Sequence, residues 1–408
     1  MKTKIIEINA ANYFSTGTIM LSIAEKAREK GYEVTTFSKN TRTAQRVQVK
    51  EHQLIGTVLE NTLHRYFSWI TDFQDCGSYF GTKKLIREIE KISPDIIHLH
   101  DVVGWYINIG VFFRYLKKKN IPVVWTFHCC WAYTGRCIYY DFAKCDKWMS
   151  ECHKCPQPEA YPMTKLLDHS RWNFRRKKKL FTDLEKLTIV TPSLWLKKEV
   201  EKSFLKEKEC IVINNGINKE IFQPRESDFR QKHQLQNKKI ILGVSAYWTQ
   251  PRKGLRFLNE LAEGIGEDYK VVVVGVRDNE DIELSEKILA LPPTSNPTQL
   301  AEIYTAADVF VNPTLEDNFP TTNIEALSCG TPVVTFKTGG SVEVVTENTG
   351  RVVDQEDVEG LKNAIYEMTC SGKDYKEFCL KKSEDYDKEH KFEEYVELYE
   401  RLIKDENE

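Results

Sequence analysis

Two carboxylates, Asp317 and Glu325, stand eight positions apart in the stretch "EDNFPTTNIEALSCGTPVV". Thr322-Asn323-Ile324-Glu325 fits a capping box, with Thr322 covering the first amides of a helix and Glu325 reaching back. The first turn of a helix also presents unpaired amides and a partial positive charge, which attract phosphate. Carboxylates repel phosphate, but they accept hydrogen bonds from sugar hydroxyls. Phe319, Pro320, Thr321 and Thr322 lie between the acids, so a diphosphate would sit there with a hydroxylated ring at each end. Those groups describe a nucleotide sugar. A plain capped helix would use the same residues, so the pattern needs support from elsewhere in the chain.

Three further groups could supply it. Arg252 and Lys253, in Pro251-Arg252-Lys253-Gly254, follow a strand-like run. Two cations near a helix start can neutralise a dianionic leaving group, although alone they read as a solvated turn. His128 follows the hydrophobic run Trp125-Thr126-Phe127, with Cys129 next to it. A histidine at a strand end is more often structural than catalytic. His100 and Asp101 end the comparable run before it and rank below His128. Gly17 closes the loop after the first strand and is a weak phosphate cradle, because it is a single glycine.

The elements that must position these groups alternate. Strands are predicted over Lys4–Ile8, Val34–Phe37, Asp95–His100, Val123–Phe127, Thr188–Thr191 and Ile211–Asn214. In the second half they are predicted over Lys239–Ser245, Lys270–Gly275, Asp308–Asn312 and Thr331–Phe336. Helical patterns separate most of them, as with Leu255, Leu258, Leu261, Ala262 and Ile265 on one face. Alternation of this kind implies an α/β fold with mostly parallel sheets covered on both faces. Ligands of such sheets bind beyond the carboxyl ends of the strands, where the candidate residues lie. Turn formers from Asn214 to Pro224 mark a linker. The expected domains are 1–218, carrying a cysteine-rich insertion at 129–157, and 219–388. A final helix, 389–408, is free to pack back on the first domain.

Composition agrees with a globular enzyme. The chain has 408 residues, too long for one ordinary core, with a formal net charge of -2. No basic excess points to nucleic acid, and no run of about 18 apolar residues points to a membrane span. The first residues read as a strand and not as a signal peptide. A cytoplasmic protein is expected.

With these residues in view, the chain resembles the retaining glycosyltransferases of family 4, which have the two-domain GT-B fold. It is most similar to those of bacterial exopolysaccharide and colanic-acid type. Asp317 and Glu325 match the family's carboxylate–seven-residue–carboxylate signature. The resemblance implies Glu325 on the nucleotide ribose and Asp317 on the donor sugar. The first acid is normally Glu, so the shorter Asp317 is a departure that leaves Glu316 as a substitute. The resemblance further implies Arg252 and Lys253 on the donor diphosphate and His128 on the transferred sugar, where Cys129 replaces a frequent Asp. The arginine that many relatives carry after the strand's glycine is missing from Gly243-Val244-Ser245-Ala246-Tyr247-Trp248. Gly17 resembles the loop bordering phosphate and acceptor, and Gly339-Gly340-Ser341-Val342-Glu343 resembles a turn entering the cleft between two facing Rossmann-like domains. The implied reaction moves a sugar from a UDP- or GDP-type donor to a saccharide hydroxyl, on an acceptor that is lipid-linked. It needs no metal for chemistry.

Two features lie outside that signature. Cys137, Cys145, Cys152 and Cys155 fall within nineteen residues, out of eleven cysteines in all. They could close a structural zinc site in a loop with little else to bury. Ordinary buried thiols and an iron–sulfur cluster are the other readings. The run Arg171-Trp172-Asn173-Phe174-Arg175-Arg176-Lys177-Lys178-Lys179 reads as a solvated helix face or as a contact with anionic lipid at a membrane surface. A nucleotide-sugar epimerase, a phosphorylase, and a non-catalytic metal-dependent interaction protein remain the alternatives.

Overall fold

The computed structural model describes residues 2–407. The chain divides into two units, one of Met1–Asn214 with Lys391–Glu408 and one of Asn215–His390.

The first unit is a seven-stranded parallel sheet. Its strands are β1 (Lys4–Asn9), β2 (Glu33–Lys39), β3 (His52–Ile55), β4 (Ile96–Leu99), β5 (Val123–Thr126), β6 (Leu187–Thr191) and β7 (Glu209–Val212). They lie in the order β3-β2-β1-β4-β5-β6-β7. Successive side chains alternate between faces. Ile6, Ile8, Ile97, Leu99 and Trp125 enter one core, and Ile5, Ile96, Val124 and Val190 enter another. The second core is closed by Phe392, Tyr395, Val396 and Tyr399 of the Lys388–Asn407 helix. The last helix therefore packs on the first sheet.

The second unit repeats the scheme with six parallel strands. These are β8 (Lys239–Val244), β9 (Tyr269–Val274), β10 (Ile288–Leu291), β11 (Val309–Asn312), β12 (Val333–Phe336) and β13 (Gly350–Val353). Their order is β10-β9-β8-β11-β12-β13. In each sheet the order reverses once, between β1 and β4 and between β8 and β11. That reversal opens a crevice at the carboxyl ends. The central strands fall within a residue or two of their predicted positions. β3, β10 and β13 are not among the predicted strands, and all three are sheet edges. Among the described residues no helix is long and apolar enough to cross a membrane.

Candidate active site

In the second unit, the segments leaving β8 and β11 meet at the reversal. The Pro251–Lys253 turn follows β8, and Pro313–Pro320 leads from β11 into the Thr321–Ser328 helix. The two are sewn together through Arg252. Its carbonyl accepts from Leu315 N at 2.7 Å and from Thr314 Oγ1 at 3.2 Å. Its guanidinium donates to the Glu316 carbonyl at 3.0 Å and to Gln250 Oε1 at 2.9 Å. Gly254 makes this approach possible. Its φ is +76°, and a Cβ there would lie 2.1 Å from the Pro313 carbonyl oxygen.

Lys253 Nζ pairs with Asp317 Oδ2 at 2.8 Å. The sequence expectation put these two on different parts of a donor; the fold places them in contact, as a partly covered pair. Glu316 is buried, with its backbone carbonyl on Arg252, and Asp317 is the acid paired with Lys253. Phe319 and Pro320 turn inward, and the Phe319 ring packs 5.8 Å from that of Tyr386.

The capping box is not formed. The helix begins at Thr321, its N-cap is Pro320, and no side chain caps it. Thr322 is therefore the second helical residue. Glu325 returns to the Thr321 side chain at the helix start, not to the amide of Thr322. It accepts from Tyr304 Oη at 3.2 Å, and burial pushes its carboxyl up to about 7, against hydrogen bonds from Tyr304 and Thr321. The physical cause is Pro320. Proline fixes the backbone entering the helix and leaves the first-turn amides without a side-chain partner. That arrangement suits an anion better than a capped helix would.

Several residues that sequence reasoning missed hold this corner rigid. Asn323, fully buried, accepts from Asn312 Nδ2 at 2.8 Å and donates to Ser341 O and Oγ, each at 3.0 Å. Thr338 Oγ1 donates to the Thr314 carbonyl at 2.8 Å. The Gly339–Val342 turn is thereby welded to the helix start. Tyr304, on the Pro297–Ala306 helix, carries no signal in the sequence, since its role depends on Glu325 arriving beside it.

In the first unit, His128 Nε2 lies 3.0 Å from His100 Nδ1, and the rings stack at 5.3 Å with 10° between planes. Burial lowers the pKa of His128, with the Asp101 charge opposing it. The Cys129 thiol lies 3.8 Å from Asp101 Oδ1. Asn9, ending β1, accepts from Asp101 N at 3.1 Å and donates to Thr16 Oγ1 at 3.3 Å. His100 and Asp101 therefore belong with His128 in one cluster. Gly17 is not in a loop. It lies in the first turn of the Phe14–Glu29 helix, and a Cβ there would stand 2.9 Å from the Asn12 carbonyl carbon. It lets the helix tuck under the Ala11-Asn12 backbone.

The cysteine segment differs from expectation. Cys137, Cys145, Cys152 and Cys155 are free thiols. Among the described residues, the group whose ligand atoms lie within 4.8 Å of one another is Glu7, His98 and His100, not these sulfurs. Nor does the segment lack a core. Trp131, Tyr133, Tyr140 and Trp148 are buried, with Trp148 4.7 Å from the Tyr140 ring, and they join the main core of the unit. Burial pushes the Cys137 and Cys152 thiols up to about 11 and about 12. Aromatic packing gives the segment the core it was expected to lack, and the four thiols lie near one another within it, Cys155 acting on Cys137, and Cys137 and Cys145 on Cys152.

Arg171, Arg175, Lys178 and Lys179 of the basic run are exposed, as a solvated helix face requires, but Lys177 is not. It is buried beneath the cysteine segment, donating to the Trp131 carbonyl at 2.8 Å and lying 3.5 Å from the Trp131 ring centre. Arg171 and Arg175 pair with Glu151. Arg176 donates to Gln74 O and Cys76 Sγ.

Two parallel sheets, each with one order reversal lined by polar groups, make a two-unit α/β architecture. The "Glycosyl transferases group 1" pattern matches residues 210–382, and "Glycosyltransferase Family 4" matches residues 16–221. The chain belongs to glycosyltransferase family 4. A protein of Escherichia coli (strain K12) named as a colanic acid biosynthesis glycosyl transferase, WcaC, is 26% identical over 348 residues, covering 79% of this chain and 81% of that one. The alpha-galactosylglucosyldiacylglycerol synthase of Streptococcus pneumoniae is 28% identical over 239 residues, 54% of this chain and 62% of that one. Anabaena HepE in complex with UDP-glucose matches in fold with a TM-score of 0.68 at 14% identity, covering 98% of this chain and 99% of that one. The fold is GT-B.

Proposed function

We propose that the protein transfers a sugar, with retention of anomeric configuration, from a nucleoside diphosphate sugar to a hydroxyl of a saccharide acceptor in surface polysaccharide synthesis. The observation that carries this reading is the uncapped Thr321–Ser328 helix start beside Lys253, Arg252, Asp317 and Glu325. The name of the WcaC relative and the UDP-glucose bound to HepE support it.

The diphosphate would sit on the free amides, with Lys253 and Arg252 offsetting the charge that grows as it leaves. Such preorganised groups act chiefly on the transition state. Lys253 would be shared between Asp317 and the incoming phosphates, and Asp317 would meet donor-sugar hydroxyls. Glu325 would hold the ribose, and His128 the transferred sugar. Neither acid serves as a general base, because the departing diphosphate takes the acceptor proton. No metal enters the chemistry. Incubation with a panel of UDP- and GDP-sugars and a saccharide acceptor tests the reading, with NMR of the product's anomeric proton reporting stereochemistry. Conversion of donor without acceptor would favour an epimerase, and an inverted product would sink the retaining mechanism.

The acceptor is proposed to be lipid-linked, with the protein peripheral on the inner face of the membrane. Beside the basic run lies an apolar face that would make the contact. Leu59, Leu63, Phe67, Tyr79 and Phe80 are exposed around a cavity of about 570 Å³, and Phe80 alone is 79% exposed. Exposed Lys83, Lys84 and Arg87 follow on the helix that starts at Tyr79. An apolar patch bordered by cations suits a bilayer with anionic headgroups. The diacylglycerol product named for the pneumococcal relative is consistent with this. Flotation with phosphatidylglycerol vesicles checks it. Phe80→Asp with Leu63→Asp is expected to abolish binding, and unchanged binding would remove this face from the proposal.

A further inference from the structure

The polar groups of the first sheet share one face. Glu7 and His98 are register partners on β1 and β4, and His98 pairs in register with Val124 on β5, two residues before Thr126. Glu7, His98 and Thr126 therefore point to the side covered by the Lys388–Asn407 helix, an unusual place for three buried polar side chains. Burying such groups costs free energy unless each finds a partner.

Their partners form two chains. One runs back to Glu7: His98 bonds Tyr399 Oη through Nδ1 at 2.6 Å and Thr126 Oγ1 through Nε2 at 2.8 Å, and Tyr399 Oη donates to Glu7 Oε1 at 3.4 Å. The other leads toward the candidate site. Glu7 Oε2 faces His100 Nε2 at 3.4 Å, and His100 Nδ1 faces His128 Nε2 at 3.0 Å. Glu7 Oε2 and His100 Nε2 are both buried and neither makes a hydrogen bond in this arrangement. The 3.4 Å separation is long for a hydrogen bond, yet each atom has only the other to satisfy it. A metal ion does not explain the group better. Glu7, His98 and His100 could converge on one, but both nitrogens of His98 are already committed, leaving two ligands.

We propose that Glu7 is a positioning residue which, through His100, fixes the ring tautomer of His128. The reasoning is a proton inventory. A neutral imidazole carries one N–H, and the bond made by one nitrogen sets the role of the other. Burial disfavours the charged forms of Glu7, His98, His100 and His128 alike. A neutral Glu7 donates its O–H to His100 Nε2. His100 then carries its proton on Nδ1 and donates it to His128 Nε2. That nitrogen accepts, so the proton of His128 must lie on Nδ1. With an ionised Glu7 every bond in the chain would reverse. Asp101 is the other charged group felt by His128, and an Nδ1–H is the form that a carboxylate or a sugar oxygen can use. The consequence for catalysis rests on His128 contacting the transferred sugar; the tautomer does not.

Long-range ¹⁵N–¹H spectra of ¹⁵N-histidine-labelled full-length protein test this without substrate, with transfer rates measured beside them. Wild type and Glu7→Gln, whose amide can still donate, are expected to show His128 as Nδ1–H, with transfer within about threefold of each other. Glu7→Leu is expected to lose that tautomer and at least roughly tenfold in transfer, as when a histidine loses its orienting acid. His100→Phe provides the same readout if Glu7→Leu does not fold. An unchanged Nδ1–H in the folded variant overturns the proposal. A changed tautomer with unchanged transfer upholds it and instead overturns the role of His128 on the donor sugar.

Discussion

The two units share a strand order but equip their crevices in opposite ways. In the second unit the groups are charged, paired and partly open to water, as with Lys253 on Asp317. In the first they are buried imidazoles and carboxyls whose charged forms burial disfavours, lined up from Glu7 past His100 to His128 and Asp101. The difference follows what each would meet. A diphosphate brings two or more negative charges, so a cation waiting for it gains more than its own pairing loses. A sugar ring brings only hydroxyls, and a neutral N–H of defined direction recognises those without the cost of a buried ion. The first unit also stabilises a long irregular segment with aromatic rings, where its cysteines suggested a metal.

That contrast can be broken at several points. The largest effect is expected at Trp148, the centre of the aromatic packing. Trp148→Ala should cost roughly 3–5 kcal/mol in urea unfolding. A chelator should leave the melting temperature of the wild type unchanged, and a chelator-induced drop with stoichiometric zinc would restore the metal reading. Lys253→Ala comes next. It should lower kcat/KM by roughly 10²–10³-fold while the protein stays folded, and a loss under about threefold would remove Lys253 from the charge-offsetting role.

Glu325 tests the charged crevice through pH. Burial pushes its folded-state pKa up to about 7, above the ordinary 4.5 of a glutamate, so the folded state binds more protons between those values. Stability is greatest below about pH 4.5 and falls as pH rises toward 7. Glu325→Gln should therefore stabilise the free protein at pH 8 by roughly 2 kcal/mol, and by little at pH 4.5, while weakening nucleotide binding. Melting curves at the two pH values decide it. The smallest effect is at Thr322. A true N-cap would cost about 1 kcal/mol on removal, but Thr322→Ala should change stability by less than about 0.5 kcal/mol. A larger loss would revive the capping box.

Legibility in the sequence followed burial. β1, β4, β5, β8 and β11 are central, covered on both faces, and read as short apolar runs. The edge strands β3, β10 and β13 are four residues each and only half-buried, so no run betrays them. Asp317 and Glu325, Arg252 and Lys253, and His128 were visible because a motif is a local spacing. Tyr304, Asn323 and Glu7 were not. Each acts through a partner far along the chain, as Tyr399 reaches Glu7 across 392 positions.

The sequence by itself determined the α/β alternation, the family signature and the placement of polar residues at strand ends, because these depend on periodicity and short spacing. Only the tertiary structure decided that Lys253 rests on Asp317, that Pro320 and not Thr322 is the N-cap of the helix, that Lys177 is buried beneath Trp131, and that the cysteine segment packs on its own rings. Those outcomes turn on which groups meet after burial, where an unmet polar atom is costly and each partner is chosen by what else is within reach.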